Sequence, residues 1–188
     1  MRNDFYESIH ENPIIASIND FKQIDEVIKS PCKITFLLTG DILNIKDAVN
    51  KLKDNNKIVF IHVDLIGGFS KDVTALKFIN ENIKPHGIIT TKSNLIKAGQ
   101  NFGLLTIQRL FLLDSLSIES GINSIKQFKP DAIEILPGLI PRMIGKISNE
   151  TRVPVIAGGL IEEKEDVINC LNSGAIGIST SNKKIWYL

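Results

Sequence analysis

The chain has 188 residues, of which 43% are hydrophobic and 23% charged, and its formal net charge is +1 at pH 7. This composition is typical of a globular protein and argues against a disordered chain, a fibrous protein or one drawn to nucleic acid by its overall charge. Two cysteines without a CxxC pair likewise argue against a secreted disulfide scaffold.

The amino-terminal segment carries Asp4, Glu7 and Glu11 and lacks the apolar stretch of a signal peptide. No apolar run reaches the roughly 20 residues that a membrane helix needs. We therefore expect a cytoplasmic protein without membrane contact. No linker or low-complexity tract divides the chain, so we assign residues 1–188 to a single domain.

Eight short apolar runs, most of them rich in isoleucine and valine, predict eight strands. Most runs are continuous rather than alternating, which is typical of strands covered on both faces, as in a parallel sheet. In chain order they span 14–18, 34–38, 58–65, 87–90, 104–111, 132–136, 153–157 and 175–179.

Segments with a helical period separate these runs. Asp20 and Gln23 form a capping-box pattern, and Gly103 and Gly174 end two other helical segments. After the eighth run only residues 182–188 remain, enough for one short helix. Strand followed by helix, eight times, predicts an α/β fold, a compact (β/α)8 TIM barrel with short loops and a truncated last helix. The alternative is an open flavodoxin-like sheet, but that needs only about five parallel strands.

Two loops near the carboxyl end predict an anion site, because barrels bind ligands where strands end. Gly158 and Gly159 follow the seventh predicted strand, and Ser179, Thr180 and Ser181 follow the eighth. Glycines let main-chain N–H groups approach an oxyanion, hydroxyls add donors, and a short terminal helix adds a favourable dipole. We predict that these residues bind a phosphate ester. Read separately, the two segments are a glycine turn and a helix cap.

Polar residues near other strand ends are candidates to line a ligand cup above the barrel. His62 and Asp64 are predicted to share a face of the third strand, because side chains alternate along a strand, and we interpret His62 as a hydrogen-bonded core residue. Arg109 suits either an anion or a buried ion pair with Asp64 or Glu134. The predicted cup-lining residues are Asp64, Thr90, Lys92, Arg109 and Glu134.

An enzymatic interpretation remains open at this point. Asp64 and Glu134 have the chemistry of an acid–base pair, or they only bind hydroxyl groups. His10, His62 and His86 do not have metal-ligand spacing, and no nucleotide-binding or nucleophile motif is present. The residues alone therefore predict no metal and no cofactor.

Several of these segments together resemble the glycerol uptake operon antiterminator regulatory protein family, from about Pro13 to Trp186. The most specific is the string QRLFLLDS at 108–115, whereas the double glycine alone is not specific. The matching segments are 62–66, 106–115, 134–138, 157–161 and 179–181.

The resemblance implies a phosphate-binding barrel, glycerol 3-phosphate as ligand and an mRNA leader as partner. It implies transcription antitermination without catalysis: the liganded, RNA-binding protein would stop a terminator from ending transcription of glycerol-uptake genes. Carried over to this chain, Gly158, Gly159, Ser179, Thr180 and Ser181 would hold the phosphate. Asp64, Arg109 and Glu134 would meet the glycerol hydroxyls or orient the loops. DNA is not an expected partner, and a homo-oligomer is left open.

The amino-acid composition gives little support to the expectation that the protein binds RNA. A net charge of +1 and 6% aromatic residues do not form an evident RNA footprint. A local basic surface at the rim of the barrel could come from five residues, although each is equally consistent with a solvated helix face. These residues are Lys92, Arg142, Lys146, Lys183 and Lys184. The alternative function is a phosphate-ester-processing TIM-barrel enzyme of the isomerase, lyase or phosphodiesterase type.

Overall fold

The computed structural model describes residues 2–188, whose eight strands pair in parallel, in chain order, into a closed barrel. The predicted TIM barrel is confirmed, and the open-sheet alternative is wrong because β8 pairs with β1. The strands are β1 Ile14–Ile18, β2 Ile34–Leu37, β3 Ile58–His62, β4 Gly87–Thr90, β5 Leu105–Phe111, β6 Ala132–Leu136, β7 Val155–Gly158 and β8 Ala175–Thr180.

Seven helices alternate with the strands, and one more precedes β1. None of the helices within residues 2–188 is both long enough and apolar enough to cross a membrane. They are α1 Arg2–Glu11, α2 Ile24–Lys29, α3 Ile45–Asp54, α4 Val73–Phe78, α5 Ser93–Asn101, α6 Ser115–Phe128, α7 Pro141–Thr151 and α8 Lys164–Asn172.

The continuous apolar runs are explained by burial on both faces of each strand. One set of side chains, including Phe36, Phe60 and Ile107, fills the barrel interior. The alternate set, including Leu37 and Ile61, packs beneath the surrounding helices. Because successive side chains point to opposite faces, every strand position needs an apolar residue unless a polar one finds a partner.

Helix α1 was not predicted from the sequence. It buries Phe5 and Ile9 against the interior cluster at the amino-terminal end of the barrel, where the Phe5 and Phe60 rings pack edge to face with centroids 5.3 Å apart. The Tyr6 hydroxyl donates to the main-chain oxygen of Asp131 at 2.7 Å. The helix therefore covers that end of the barrel, opposite the predicted site.

Two predicted elements are shorter than expected. Strand β3 ends at His62, and the next residues turn, with the Leu65 N–H donating to the His62 carbonyl at 2.9 Å. The alternation that placed His62 and Asp64 on one face therefore does not hold. The predicted short helix in 182–188 is a single 3-10 turn, Ile185–Tyr187, whose Trp186 is fully buried.

Candidate functional site

A cleft of about 460 Å³ opens at the carboxyl-terminal end of the barrel. Among the predicted phosphate-site residues it is lined by Gly159 and by the three hydroxyl residues of β8 and its loop, and among the predicted cup residues by Arg109 and Glu134. Its lining is Ser17, Asn19, Leu38, Arg109, Glu134, Leu136, Gly159, Leu160, Ile161, Glu162, Ser179, Thr180, Ser181 and Asn182.

The loops that follow β7 and β8 are bonded directly to each other. The Thr180 hydroxyl donates to the Ile161 carbonyl at 3.1 Å, and the Asn182 side-chain amide donates to the Glu162 carbonyl at 3.0 Å. The Trp186 indole N–H donates to the Thr180 carbonyl at 2.8 Å and anchors the end of β8 from behind. Both loops therefore border one cleft and hold each other in place.

A buried ion pair lies at the base of this cleft. Arg109 of β5 and Glu134 of β6 are partners in the strand register, so their side chains lie side by side on the inner face. The Arg109 Nε donates to Glu134 Oε2 at 2.7 Å, and the Ser179 hydroxyl donates to Glu134 Oε1 at 2.6 Å. Of the two interpretations of Arg109 kept open by the sequence, the buried ion pair with Glu134 is present.

Gly158 is a glycine because the Glu134–Ser179 hydrogen bond passes over it. It lies on β7, between β6 and β8, and pairs in register with Ser179. A Cβ at Gly158 would overlap the Ser179 oxygen and lie 3.1 Å from Glu134 Oε1. Room for this side-chain bridge across β7 is therefore one structural reason for glycine at this position, beside the close approach of main chain to ligand predicted from the sequence.

The donors that remain for an anion differ from those expected. The hydroxyl protons of Ser179 and Thr180 already go to Glu134 and Ile161, which leaves only the Ser181 hydroxyl free to donate within this set. The main-chain N–H groups of Gly159, Leu160 and Ser181 donate no hydrogen bond to another described residue. The terminal nitrogens of Arg109 also have no partner among the described residues, and Arg109 lines the cleft.

The backbone of the β7 loop is turned in an uncommon way. Gly159 and Leu160 both have positive φ, +73° and +60°. A left-handed leucine is disfavoured by contact between its Cβ and the following carbonyl, and such strain clusters at functional sites. The terminal helix whose dipole was expected to assist is a single 3-10 turn, too short to supply that dipole.

The other predicted cup residues do not line this cleft. Asp64 is held by the next loop: it accepts from the Thr90 hydroxyl at 2.9 Å and from the Thr91 N–H and hydroxyl at 2.7 and 3.0 Å. Thr90 is buried with its proton on Asp64, and the Lys92 ammonium donates to the Lys71 carbonyl at 3.3 Å. The Asp64 carboxylate therefore joins two loops outside the lining of this cleft.

His62 lies in the barrel interior near Arg109. Burial first, and the Arg109 charge second, lower the pKa of His62 to about 4, so the ring is neutral at pH 7. Its Nδ1 has no hydrogen-bond partner within residues 2–188, which differs from the hydrogen-bonded core histidine expected. A neutral ring avoids a second positive charge beside Arg109.

Two lining residues, Ser17 and Asn19, were missed from the sequence. Ser17 is a buried hydroxyl in β1, and Asn19 follows directly after that strand. A polar residue inside an otherwise apolar run was the available signal, the same one that singled out Glu134. No group of three or more metal-ligating side chains lies close together within the described part of the chain.

Comparison with known proteins places this geometry in context. The family model described as "Glycerol-3-phosphate responsive antiterminator" matches residues 14–186. The Escherichia coli protein YgcP, described as uncharacterized, is 38% identical over 180 residues, which cover 96% of this chain and 94% of that protein.

Two solved structures have a closely similar fold. The glycerol uptake operon antiterminator regulatory protein from Listeria monocytogenes matches with a TM-score of 0.91 and 36% identity, covering 93% of this chain and 95% of that one. A glycerol uptake operon antiterminator-related protein from Thermotoga maritima matches with a TM-score of 0.82 and 34% identity, covering 92% and 96%.

Proposed function

The chain belongs to the glycerol-3-phosphate responsive antiterminator family, and we propose that it is a cytoplasmic, non-catalytic regulator that binds glycerol 3-phosphate in the carboxyl-terminal cleft. In its liganded form it binds an mRNA leader and prevents termination ahead of glycerol-uptake genes. The observation that carries the proposal is the convergence of the β7 and β8 loops on one cleft with unpaired donors.

The phosphate group fits the donors that the loops leave free. The N–H groups of Gly159, Leu160 and Ser181 and the Ser181 hydroxyl supply neutral hydrogen bonds to its oxygens. The terminal nitrogens of Arg109 supply charge-assisted ones, which are shorter and stronger. Gly158, Ser179 and Thr180 then support the site indirectly, through the Glu134 bridge and the bond between the loops.

The glycerol hydroxyls face a different part of the same cleft. Ser17 and Asn19 line it on the β1 side, and each can both donate to and accept from a hydroxyl group. Asn19 also offers an amide, which discriminates a hydroxylated ligand from inorganic phosphate. A ligand that spans both sides would favour the state in which the two loops are closed on it, and so shift a population of conformations.

Isothermal titration calorimetry tests the ligand assignment. We expect saturable heat with glycerol 3-phosphate, weaker binding of inorganic phosphate and none of glycerol. Ser181→Ala should weaken glycerol 3-phosphate binding at least tenfold, because one hydrogen bond to a charged group contributes about 1.5–3 kcal/mol. Ser120→Ala, a change at an exposed serine of α6 that does not line the cleft, is the matched control. Equal heats for glycerol and glycerol 3-phosphate would contradict the assignment.

Transcription in vitro through the leader of a glycerol-uptake operon from the same genome tests the regulatory part. Read-through should rise only when protein and glycerol 3-phosphate are both present. Read-through that is unchanged by the ligand, with ligand binding intact, would contradict antitermination while leaving the site assignment standing.

The enzymatic alternative is weakened by how the two candidate carboxylates are held. Asp64 accepts three hydrogen bonds from Thr90 and Thr91, and Glu134 is occupied by Arg109 and Ser179. Neither is poised to exchange a proton with a substrate, and only Glu134 lines the cleft. Incubation with triose phosphates and glycerophosphodiesters should show no turnover; turnover by the purified wild-type protein would favour the enzyme.

A further inference from the structure

A second cleft, of about 440 Å³, lies at the amino-terminal end of the barrel, opposite the candidate ligand site. It is formed by the first turn of α1, the carboxyl ends of α6 and α7, and the segments that lead into β6 and β7. Four basic side chains line it, all of them exposed: Arg2, Lys126, Lys129 and Arg152.

This cleft concentrates positive charge in a chain that is nearly neutral. Asp131 is its one acidic lining residue, and its carboxylate is occupied by Arg2 and by the Thr106 N–H and hydroxyl. Lys129 and Arg152 form no ion pair with any residue in 2–188, and Lys126 is 3.9 Å from Glu150. Lys146 and Lys183, candidates from the sequence, do not line this cleft and lie next to Glu150 and Glu26.

Lys129 and Arg152 occupy backbone positions that favour glycine. Each follows the last residue of a helix in a left-handed conformation, with φ of +46° and +56°. Gly103 and Gly174 have positive φ just beyond α5 and α8. A cation at a helix carboxyl end gains some stability from the helix dipole, but glycine adopts this backbone with less strain. Backbone stability alone would therefore favour glycine at both positions.

We propose that this basic cleft binds the phosphodiester backbone of single-stranded RNA, an inference that rests on the proposed function. Lys129, Arg152 and Lys126 neutralise successive phosphates. Tyr6, a half-buried aromatic that lines the same cleft, offers a surface for base contact next to the cations. The ligand and the RNA then bind at opposite ends of one barrel, so the two sites are separable by mutation.

The left-handed positions allow a test that does not damage the fold. The double variant Lys129→Gly with Arg152→Gly removes two charges while relieving the backbone, so its melting temperature should equal or exceed that of the wild type. Lys84→Gly is the matched control, because Lys84 is also an exposed left-handed lysine after a helical segment, with φ of +56°, and does not line the cleft.

Binding of a fluorescently labelled 20-nucleotide single-stranded RNA is measured by anisotropy with the full chain and saturating glycerol 3-phosphate at several salt concentrations. The double variant should bind about tenfold more weakly at 50 mM salt, and the slope of log K against log salt should fall by about 1.4, since each lost phosphate contact removes about 0.7 for single strands. Lys84→Gly should keep the wild-type affinity and slope.

Three results would overturn the inference: a double variant with wild-type affinity and slope, equal weakening by Lys84→Gly, or wild-type binding of a labelled polyglutamate as tight as that of RNA. The last would indicate an acidic protein partner instead. Glycerol 3-phosphate calorimetry on the same double variant separates this inference from the proposed function. Intact ligand binding with RNA binding unaffected by the substitutions defeats only the surface assignment, whereas absent ligand binding in the wild type defeats the proposed function.

Discussion

Replacing Glu134 with glutamine should destabilise the protein and disable the candidate site together. The carboxylate is 1% exposed and accepts one hydrogen bond from Arg109 and one from Ser179. Glutamine has nearly the same shape but no charge, and its amide nitrogen cannot accept either bond. One of the two donors is therefore left without an acceptor, and the Arg109 charge is left buried without its counter-ion.

The magnitude follows from the burial of the pair. Removing one partner of a buried ion pair costs about 3–5 kcal/mol, and the remaining amide oxygen keeps the loss near the lower end, about 3 kcal/mol. For a chain of this size, each kcal/mol lowers the melting temperature by about 2–4 °C, so we expect a drop of about 6–12 °C.

Urea unfolding followed by Trp186 fluorescence measures the loss, because this is the single tryptophan of the chain and is fully buried behind β8. Glu7→Gln, the same change at an exposed position of α1, is the control and should stay within about 0.5 kcal/mol of the wild type. Arg109→Met combined with Glu134→Leu replaces the pair by apolar groups. It should recover part of the stability while glycerol 3-phosphate binding stays lost.

An unfolding free energy for Glu134→Gln within 0.5 kcal/mol of the wild type would refute this reasoning, because the bridge would then not hold the site. Recovery of ligand binding in the apolar double variant would refute the part assigned to Arg109, since no charged donor would remain at the base of the cleft.

Three further predictions concern single side chains. Gly158→Ala should weaken glycerol 3-phosphate binding at least tenfold, measured by calorimetry, because its Cβ collides with Ser179 and breaks the Glu134 bridge; unchanged affinity would contradict this. Gly145→Ala should instead raise stability by about 0.5–1 kcal/mol in urea, since alanine favours the interior of α7 and the added Cβ meets only the Ser173 carbonyl, at 3.6 Å; a destabilised variant would be the opposing result. Lowering the pH from 7 to 5 should cost the wild type about 2 kcal/mol more than it costs His62→Gln, because a pKa lowered from 6.5 to about 4 makes the unfolded chain bind the extra proton as the pH falls through that window; parallel pH profiles of the two proteins would disprove it.

The barrel was predictable because its signal is repeated and local. Continuous apolar runs separated by helical periods indicate buried parallel strands, and eight of them leave one sensible closure. Helix α1 was not predicted because only two of its residues, Phe5 and Ile9, are buried. Two apolar positions are too few to give a recognisable helical period. Strand β3 was extended too far because Val63 and Leu65 continue its apolar character through a turn.

The site was predictable in position but not in its bonding. Two loops with glycines and hydroxyls after adjacent strands predicted a cleft. The acceptor of each hydroxyl proton, however, depends on the register between strands. Glu134 reaches Ser179 across Gly158, three residues from three different strands, and no pattern along the chain encodes that contact. For the same reason the sequence could not show that Asp64 serves the neighbouring loop rather than the cleft.

A crystal structure of the protein with glycerol 3-phosphate bound tests the central claim most directly. The account predicts the phosphate between the β7 and β8 loops, within hydrogen-bond distance of the N–H groups of Gly159, Leu160 and Ser181 and of the Arg109 terminal nitrogens. A phosphate bound elsewhere on the molecule, or contacted by only one of the two loops, would contradict it.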